Sequence, residues 1–345
     1  MTPSILTATP TYAQRPVPWH RLGWVVWRRY RTTMATVVAL LGLVAVYVVI
    51  GGNRMRTAYA AAQACRPHSA ANCRFAFDNF HTMYANVGVV GAMLIWIPGV
   101  IGAFAGAPLL AREFETGTFR YAWTQSVGRM RWLVAHLVAG ALGVAVISAV
   151  LGVLITWYDQ PLVHSGVEQR LHESEFPLTG MAVVGWALAG YAIGVLAGLV
   201  SRRVLPALAA TLVVWTGLGF LAANVFRAHY QAPLVTSHLQ LAASDLSVQQ
   251  WWTKSDVGVS ETQINQVLQS LGVQSINGGG NFQAGPGSST IDPVQYLLQH
   301  GYTQWTSYQP DSRYWPFQWM EFGWLAVLSL VVLATTLWLV RRRSA

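Results

Sequence analysis

Six long stretches without charged residues alternate with polar segments along the chain. They are Thr32 to Asn53, Thr82 to Ala111, Trp132 to Tyr158, Pro177 to Ser201, Val204 to Phe226 and Phe322 to Val340. Each is long enough to cross about 30 Å of hydrocarbon as a helix. The pattern therefore predicts an all-α polytopic membrane protein with six transmembrane helices. The helix that contains the sixth span is expected to begin at residue 318 and to end at residue 340.

The composition supports a membrane protein. Hydrophobic residues make up 53% of the 345 residues and charged residues only 10%, which is too little charge to cover a soluble protein of this size. The formal net charge of +9 must then come from basic residues outside the apolar spans.

The positions of the arginines predict the topology. An even number of spans puts both termini on one side, and cytoplasmic segments carry an excess of Lys and Arg. Fourteen of the 22 basic residues lie on the side of the termini: Arg15, Arg21, Arg28, Arg29, Arg31, Arg112, Arg120, Arg129, Arg131, Arg202, Arg203, Arg341, Arg342 and Arg343. Both termini are therefore expected in the cytoplasm, including the tail 341–345. The basic charge then faces membrane lipids, and no nucleic-acid partner is needed to explain it.

The segment 1–31 precedes the first predicted span. Leu22, Val25, Val26 and Tyr30 share one face of a helix, which predicts an amphipathic helix in the cytoplasmic headgroup layer. The other interpretation is a plain start of a span that is flanked by Trp and Arg.

Two polar segments face the outside in this topology. Residues 227–317 are predicted to form a small extracellular subdomain, with helices near 261–273 and 292–301. Residues 158–176 hold several acids and two histidines, but the spacing of a metal motif such as HExxH is missing. A solvated loop without metal is the prediction for that second segment.

The two cysteines, Cys65 and Cys73, both fall in the external loop after the first span. Their compartment and their even number favour a disulfide, with two unpaired thiols as the alternative.

A search for reactive groups excludes several classes of function. The only lysine is Lys254, in a segment without the glycines of a phosphate-binding loop, so any ATP would be hydrolysed by another chain. No predicted span contains Asp, Glu, Lys or Arg, which argues against an ion-coupled carrier. No catalytic constellation is present, so the chain is predicted not to be an enzyme and to bind no cofactor or metal itself.

One polar segment resembles a known family. The stretch "AREFETGTFRYAWTQSVGRMRWLVAHL" is similar to the loop between the second and third spans of permease subunits in type-2 ATP-binding cassette (ABC) exporters. The residues that carry the match are Glu113, Glu115, Gly117, Thr118, Gln125, Ser126 and Arg129. "RLGWVVWRRYR" resembles the family's amphipathic connecting helix, and "YQPDSRYWPFQWMEFGW" resembles the approach to the sixth span in actinobacterial members. His136 departs from the pattern, because a Lys or Arg is expected there.

The resemblance implies a function. In this family the loop 112–131 holds a coupling helix that docks on the ATPase, which adds Phe119 and Tyr121 to the residues expected to contact it. The chain is then a permease that dimerises with itself or with a similar subunit in the bacterial cell membrane. Two copies of a separate ATPase would bind ATP and Mg²⁺ and drive export of an amphipathic or apolar substrate, as in multidrug efflux. Residues that bind the substrate are not identified.

Two alternatives remain from the sequence. The loop 112–131 can be a solvated connector without a docking role. The chain can also be a membrane sensor or immunity subunit that transports nothing and binds a ligand through its extracellular domain.

Overall fold

The computed structural model describes residues 19–65, 71–84, 94–116, 129–237, 241–242, 244–255, 257–270, 273–276, 281–284 and 293–343. The α-helices are α1 (Trp19–Ala64), α2 (Ala71–Tyr84), α3 (Ile97–Glu115), α4 (Arg129–Ser165), α5 (Ala182–Ser201), α6 (Val204–Leu221), α7 (Glu261–Ser270), α8 (Pro293–Gln299) and α9 (Tyr314–Arg343). The strands are β1 (Leu234–Thr236), β2 (Leu246–Lys254), β3 (Val257–Val259), β4 (Val273–Ile276), β5 (Asn281–Ala284) and β6 (Tyr302–Gln309).

Four of the described helical segments are long and apolar enough to cross a membrane. They are Met130–Ser165, Ala182–Ser201, Val204–Phe226 and Asp311–Arg342. The third, fifth and sixth predicted spans lie within these segments, and the fourth does so from Ala182 onwards, because residues 177–181 precede that helix. All four are confirmed as apolar helices of sufficient length. The last turn of α6 continues to Phe226 as a short π-helix.

The first two predicted spans are placed differently. Thr32–Asn53 lies inside α1, a continuous helix of 46 residues that also contains most of the predicted interfacial helix and extends over roughly 69 Å. The second, Thr82–Ala111, is covered in part by α2 and α3, and residues 85–93 lie outside the described residues. Within α3 the uncharged part runs only from Ile97 to Ala111, because Arg112 and two glutamates occupy the last turn.

The central helix of the bundle is α5, which packs against α3, α4, α6 and α9. Its sequence is apolar on every side, as expected for a helix surrounded by other helices. Close packing on α3 depends on glycines: a Cβ at Gly102 or Gly106 would run into the α5 backbone at Ala187 and Tyr191. From the other side, a Cβ at Gly198 would lie 2.5 Å from the carbonyl oxygen of Ala107. The two helix backbones are therefore in direct contact, as small residues permit in membrane helices.

The segment between α6 and α9 contains β-structure, so the prediction of an all-α fold is wrong there. Strands β1, β6, β2 and β3 form an antiparallel sheet in that order, and β4 pairs with β5. The register of the longest pair places Trp251 opposite Trp305, with an irregularity between Ser247 and Gln249. Helices α7 and α8 are present where the sequence predicts helices, and they form a small separate core with the sheet.

The segment 166–181 between α4 and α5 is folded against the bundle, so the prediction of a solvated loop is wrong. Leu171, Phe176 and Leu178 are buried, and the first two belong to the same core cluster as Trp186 of α5. Gln318 of α9 fixes the segment, because its side-chain oxygen accepts from the amide of Ala182 at 2.7 Å and its nitrogen donates to the carbonyl of Phe176 at 3.0 Å.

Candidate functional site

One end of the bundle collects the arginines, and we call it the arginine-rich end. Helices α3, α5 and α9 end there, and α4 and α6 begin there. Leu110, Leu133, Leu199 and Val340, each near one of these helix ends, are buried in the same cluster. The basic residues beside them are Arg112, Arg131, Arg202, Arg203, Arg341, Arg342 and Arg343. The helices thus bring together arginines that are far apart in the sequence.

Glu115 joins two helices at this end. Its Oε1 atom, at the last residue of α3, accepts a 2.9 Å hydrogen bond from the backbone amide of Val204, the first residue of α6. The first amides of a helix have no partner within the helix, and a negative charge near them is favourable. Arg203, directly before α6, provides no capping side chain, so Glu115 fulfils that role from a neighbouring helix.

A second contact between α3 and the α5–α6 turn lies beside the first. The guanidinium carbon of Arg202 lies 5.9 Å from the ring centre of Phe114. Arg202 has a left-handed backbone conformation (φ 54°), and its amide donates to the carbonyl of Gly198 at 3.1 Å, which ends α5. The short turn between α5 and α6 is therefore held against the last turn of α3.

The predicted coupling residues divide into three groups. Glu113 and Glu115 lie at the end of α3, where Glu113 is buried and Glu115 is exposed. Arg129 is the first residue of α4. Gly117, Thr118, Phe119, Tyr121, Gln125 and Ser126 lie outside the described residues.

His136, the departure from the family pattern, lies inside α4. Its Nδ1 atom donates to the carbonyl oxygen of Trp132 at 2.9 Å, and the two rings are 4.1 Å apart. The carbonyl of the next residue, Leu137, accepts a 3.0 Å hydrogen bond from the hydroxyl of Tyr191 on α5. This buried bond connects α4 to the central helix.

A buried ionic cluster lies at the opposite end of the bundle, which we call the subdomain end. Glu321 of α9 is completely buried, and both its oxygens bind Arg227 at 2.7 and 2.9 Å. The same carboxylate accepts from the indole nitrogen of Trp186 at 2.7 Å and from the hydroxyl of Tyr230 at 3.2 Å. The cluster therefore joins α5, the end of α6 and α9.

The surroundings of this cluster are aromatic. Trp324 donates to the hydroxyl of Tyr230 at 2.7 Å, and the guanidinium of Arg227 lies 4.9 Å from the ring centre of Phe176. Burial, and next the negative charge of Glu321, raise the pKa of Tyr230. Its hydroxyl thus stays protonated as a donor, and a carboxylate with four donors is a stable arrangement in an apolar interior.

Sequence reasoning missed this ion pair. Glu321 lies one residue before the predicted sixth span and Arg227 one residue after the predicted fifth. The signal available in the sequence was a pair of opposite charges, Arg227 and Glu321, next to two spans on the same predicted side of the membrane. The apolar helical segments of the structure extend past the predicted spans, which carry no charge, and include Asp159 and Glu321 as buried residues.

Cys65 directly follows α1, and Cys73 lies in the first turn of α2. The sulfur atoms of Cys65 and Cys73 are bonded to each other, and their Cα atoms are 5.4 Å apart. Nearby, Arg56 of α1 donates to the carbonyl of Trp157 and to the side-chain oxygen of Gln160 on α4, the latter at 3.1 Å. The disulfide connects the C-terminal end of α1 to the start of α2, and the hydrogen bonds of Arg56 connect α1 to the C-terminal part of α4.

The bundle of apolar helices defines an integral membrane protein, and its contacts link helix ends without forming a catalytic constellation among the described residues. Residues 37–227, more than half of the chain, match the family model described as ABC-2 membrane transporter related. The chain belongs to this family, whose members are membrane subunits of transporters and are not ATPases themselves. Comparison with curated proteins and with solved structures gave no significant match.

Proposed function

We propose that the chain is the permease subunit of an ABC exporter. A separate ATPase would dock on the loop 112–131, and ATP hydrolysis there would move an amphipathic or apolar substrate outward. The observation that carries this proposal is the hydrogen bond between Glu115 and Val204 in a chain of the ABC-2 related family. The family generally acts with an ABC ATPase subunit, and Glu115 lies directly before the segment expected to meet it.

The geometry suggests how force would travel. A push on the segment after α3 would reach α6 through Glu115 and the α5–α6 turn through Phe114. Because the backbones of α3 and α5 are in contact at Gly102 and Gly106, little sliding between them is possible. Helices α3, α5 and α6 would therefore move as one body when the permease switches between two states.

The proposed topology has six spans, with α1 and α3 providing the first two. The arginine-rich end would face the cytoplasm, together with both termini, by the positive-inside rule. The subdomain, the cysteines and the acidic segment 166–181 would then lie outside the bacterial cell membrane. A disulfide between Cys65 and Cys73 is compatible with that compartment.

The centre of a single subunit is filled. Trp186 and Tyr191 of α5 are almost completely buried among the neighbouring helices. Large apolar side chains are exposed on the outside of α4, α6 and α9, including Leu142, Val213, Phe220 and Val331. We therefore place the translocation path between two permease subunits, in a homodimer or a dimer with a similar chain. An apolar lining of this kind suits amphipathic or apolar substrates.

A double variant tests the coupling. Permease and ATPase are reconstituted in liposomes, and Glu115→Ala combined with Tyr121→Ala is compared with the wild type. We expect ATPase activity to persist while ATP-driven efflux of an apolar fluorescent dye falls at least tenfold. The control Glu261→Ala removes an exposed acid from the first turn of α7 in the subdomain. Unchanged efflux in the double variant would contradict the docking role.

One observation favours the sensor or immunity function as a second candidate. The subdomain has its own core of Trp252, Ile264, Leu268 and Leu297, and it lies beyond the residues matched by the family. A folded external unit of this kind can bind a ligand without transport. Specific ligand binding to the subdomain, together with no ATP-driven flux of any substrate, would favour this function.

A further inference from the structure

Three further carboxyl groups meet at the subdomain end. Asp159 lies in the last turns of α4, and Glu168 and Glu175 lie in the segment 166–181. An oxygen of each lies within 4.8 Å of an oxygen of the others. The exposed fractions of the three residues are 8%, 9% and 6%, so the group is buried in the protein.

Four of the six carboxylate oxygens lack hydrogen-bond partners among the described residues. Asp159 Oδ2, both oxygens of Glu168 and Oε1 of Glu175 are buried and accept no hydrogen bond from the described residues. Buried polar atoms of this kind are rare, because each loses its bonds to water without replacement. Glu168 is the clearest case, since its whole carboxylate is sequestered and unpaired.

No ion pair among the described residues neutralises the group. In the part of the chain that the structure describes, no Lys or Arg forms an ion pair with any of the three acids. Arg170, the arginine of the same segment, lies 3.6 Å from Asp311 instead. Up to three negative charges are therefore held together in a dry environment without compensation from the protein.

We propose that Asp159, Glu168 and Glu175 bind a divalent cation, with Ca²⁺ preferred over Mg²⁺. Carboxylate oxygens are hard ligands and suit these ions. Ca²⁺ accepts several carboxylate ligands in a flexible geometry, whereas Mg²⁺ demands a near-ideal octahedral geometry and usually binds through only one or two carboxylates. One oxygen of each of the three carboxyl groups lies within 4.8 Å of the others, so all three can reach one ion. Water or backbone carbonyls would complete the shell.

Protons compete with the cation for the same oxygens. Burial, and next the charge of Glu175, raise the pKa of Glu168 to about 7, and burial raises the pKa of Glu175. The other ionisable groups that face the cluster are Tyr158 on α4, and Tyr314, Arg170 and Asp311 around the start of α9. Cation binding would thus strengthen as the pH rises through neutrality, when the carboxyl groups lose their protons.

The position of the site suggests its effect. Asp159 belongs to α4, and the carbonyl of Glu175 accepts from the hydroxyl of Thr179 at 3.1 Å. That hydroxyl in turn accepts from Tyr314 of α9 at 2.9 Å. A bound cation would hold the end of α4 against the segment before α5 and the first turn of α9.

Direct binding to the purified full-length chain tests the site. After treatment with EDTA, the protein in lipid nanodiscs is titrated with CaCl₂ by calorimetry, and its melting temperature is measured with Ca²⁺ or Mg²⁺. We expect one Ca²⁺ per chain, a higher melting temperature with Ca²⁺ and a smaller rise with Mg²⁺. Glu168→Gln should weaken Ca²⁺ binding at least tenfold. The control Glu173→Gln, which changes an exposed acid of the same segment, should bind as the wild type does.

Several results would overturn the proposal. Absence of Ca²⁺ binding by the wild type at about 10 mM and pH 8, above the usual range of extracellular calcium sites, would do so even if variants fail to fold. Equal losses in Glu168→Gln and Glu173→Gln would show unspecific binding to surface acids. A rise in stability in Glu168→Gln without any effect of Ca²⁺ on the wild type would show that the cluster holds protons only. None of these measurements depends on transport or on an ATPase.

Discussion

The carboxylate of Glu115 accepts a 2.9 Å hydrogen bond from the backbone amide of Val204, which lies 89 positions further along the chain. The bond connects the last residue of α3 with the first residue of α6. A residue of the loop resembling the coupling element of ABC permeases thus also caps a helix of the bundle. This double position makes Glu115 the residue through which docking and helix movement would be linked.

Removal of this cap should destabilise the arginine-rich end. Glu115→Ala leaves the amide of Val204, the first residue of α6, without its acceptor, and loss of a helix cap costs about 1 kcal/mol. Glu115→Gln keeps an acceptor oxygen but loses the charge, so a smaller loss is expected. Thermal unfolding in detergent with both variants measures the difference. Equal stability of Glu115→Ala and the wild type would show that water replaces the carboxylate.

The contact between α3 and α5 should not tolerate a methyl group. A Cβ at position 106 would meet the backbone oxygen of Tyr191, so Gly106→Ala should force the helices apart and cost about 1–3 kcal/mol. Gly217→Ala is the matched control, because no atom lies within 4 Å of its Cβ position on α6. Chemical unfolding monitored by tryptophan fluorescence compares the two. Tolerance of alanine at both positions would refute direct backbone contact.

The Arg227–Glu321 pair allows a double-mutant cycle. Glu321→Gln should cost about 3–5 kcal/mol, because a largely buried guanidinium would remain without a counter-charge. Arg227→Met combined with Glu321→Gln removes both charges and should regain a large part of the loss. The free energies of unfolding of the four proteins give the coupling energy. Additive effects would mean that the two charges act independently.

The bond between Cys65 and Cys73 should be present in the isolated protein. Peptide mapping without reductant is expected to recover both cysteines in one linked fragment. The linked residues are separated by 8 positions, and closing a loop of that size stabilises by about 2.5 kcal/mol in the chain-entropy model. The serine double variant should melt at a correspondingly lower temperature. Recovery of two free thiols from freshly prepared protein would contradict the pairing.

The acidic cluster predicts a dependence of stability on pH when divalent cations are absent. The pKa of Glu168 is raised from 4.5 to about 7, so protonation favours the folded state. This contribution is complete below pH 4.5 and is lost as the pH rises through about 7. The melting temperature in EDTA should therefore fall over this range in the wild type and in Glu173→Gln. Glu168→Gln should flatten the curve; an identical fall in that variant would assign the effect to other groups.

The sequence predicts the membrane helices better than the contacts between them. The hydropathy pattern located four spans, because the backbone hydrogen-bonding groups of a long apolar segment in lipid find their partners within a helix. The sheet escaped prediction because β2 and β6 pair across about fifty residues, as Trp251 and Trp305 show. Register between distant strands is a tertiary property that local patterns do not contain.

The candidate sites show the same limit. Glu115 was identified from its motif, but its contact with Val204 depends on how α3 and α6 meet. Glu168 and Glu175 were assigned to a solvated loop because acids are usually exposed. They are buried because Leu171 and Phe176, close to them in the sequence, anchor the segment to the core. A mixture of apolar and acidic residues in a short segment was the only available signal.

The measurement that tests the central proposal most directly is copurification with the ATPase. The tagged chain is expressed with its native gene neighbours, purified in lipid and assayed for a copurifying ATPase. We predict two ATPase subunits for two permease subunits, vanadate-sensitive hydrolysis, and loss of the complex when residues 113–126 are replaced by a Gly/Ser linker. A folded chain that recovers no ATPase, or a complex unaffected by that replacement, would contradict the assignment as a permease coupled through this loop.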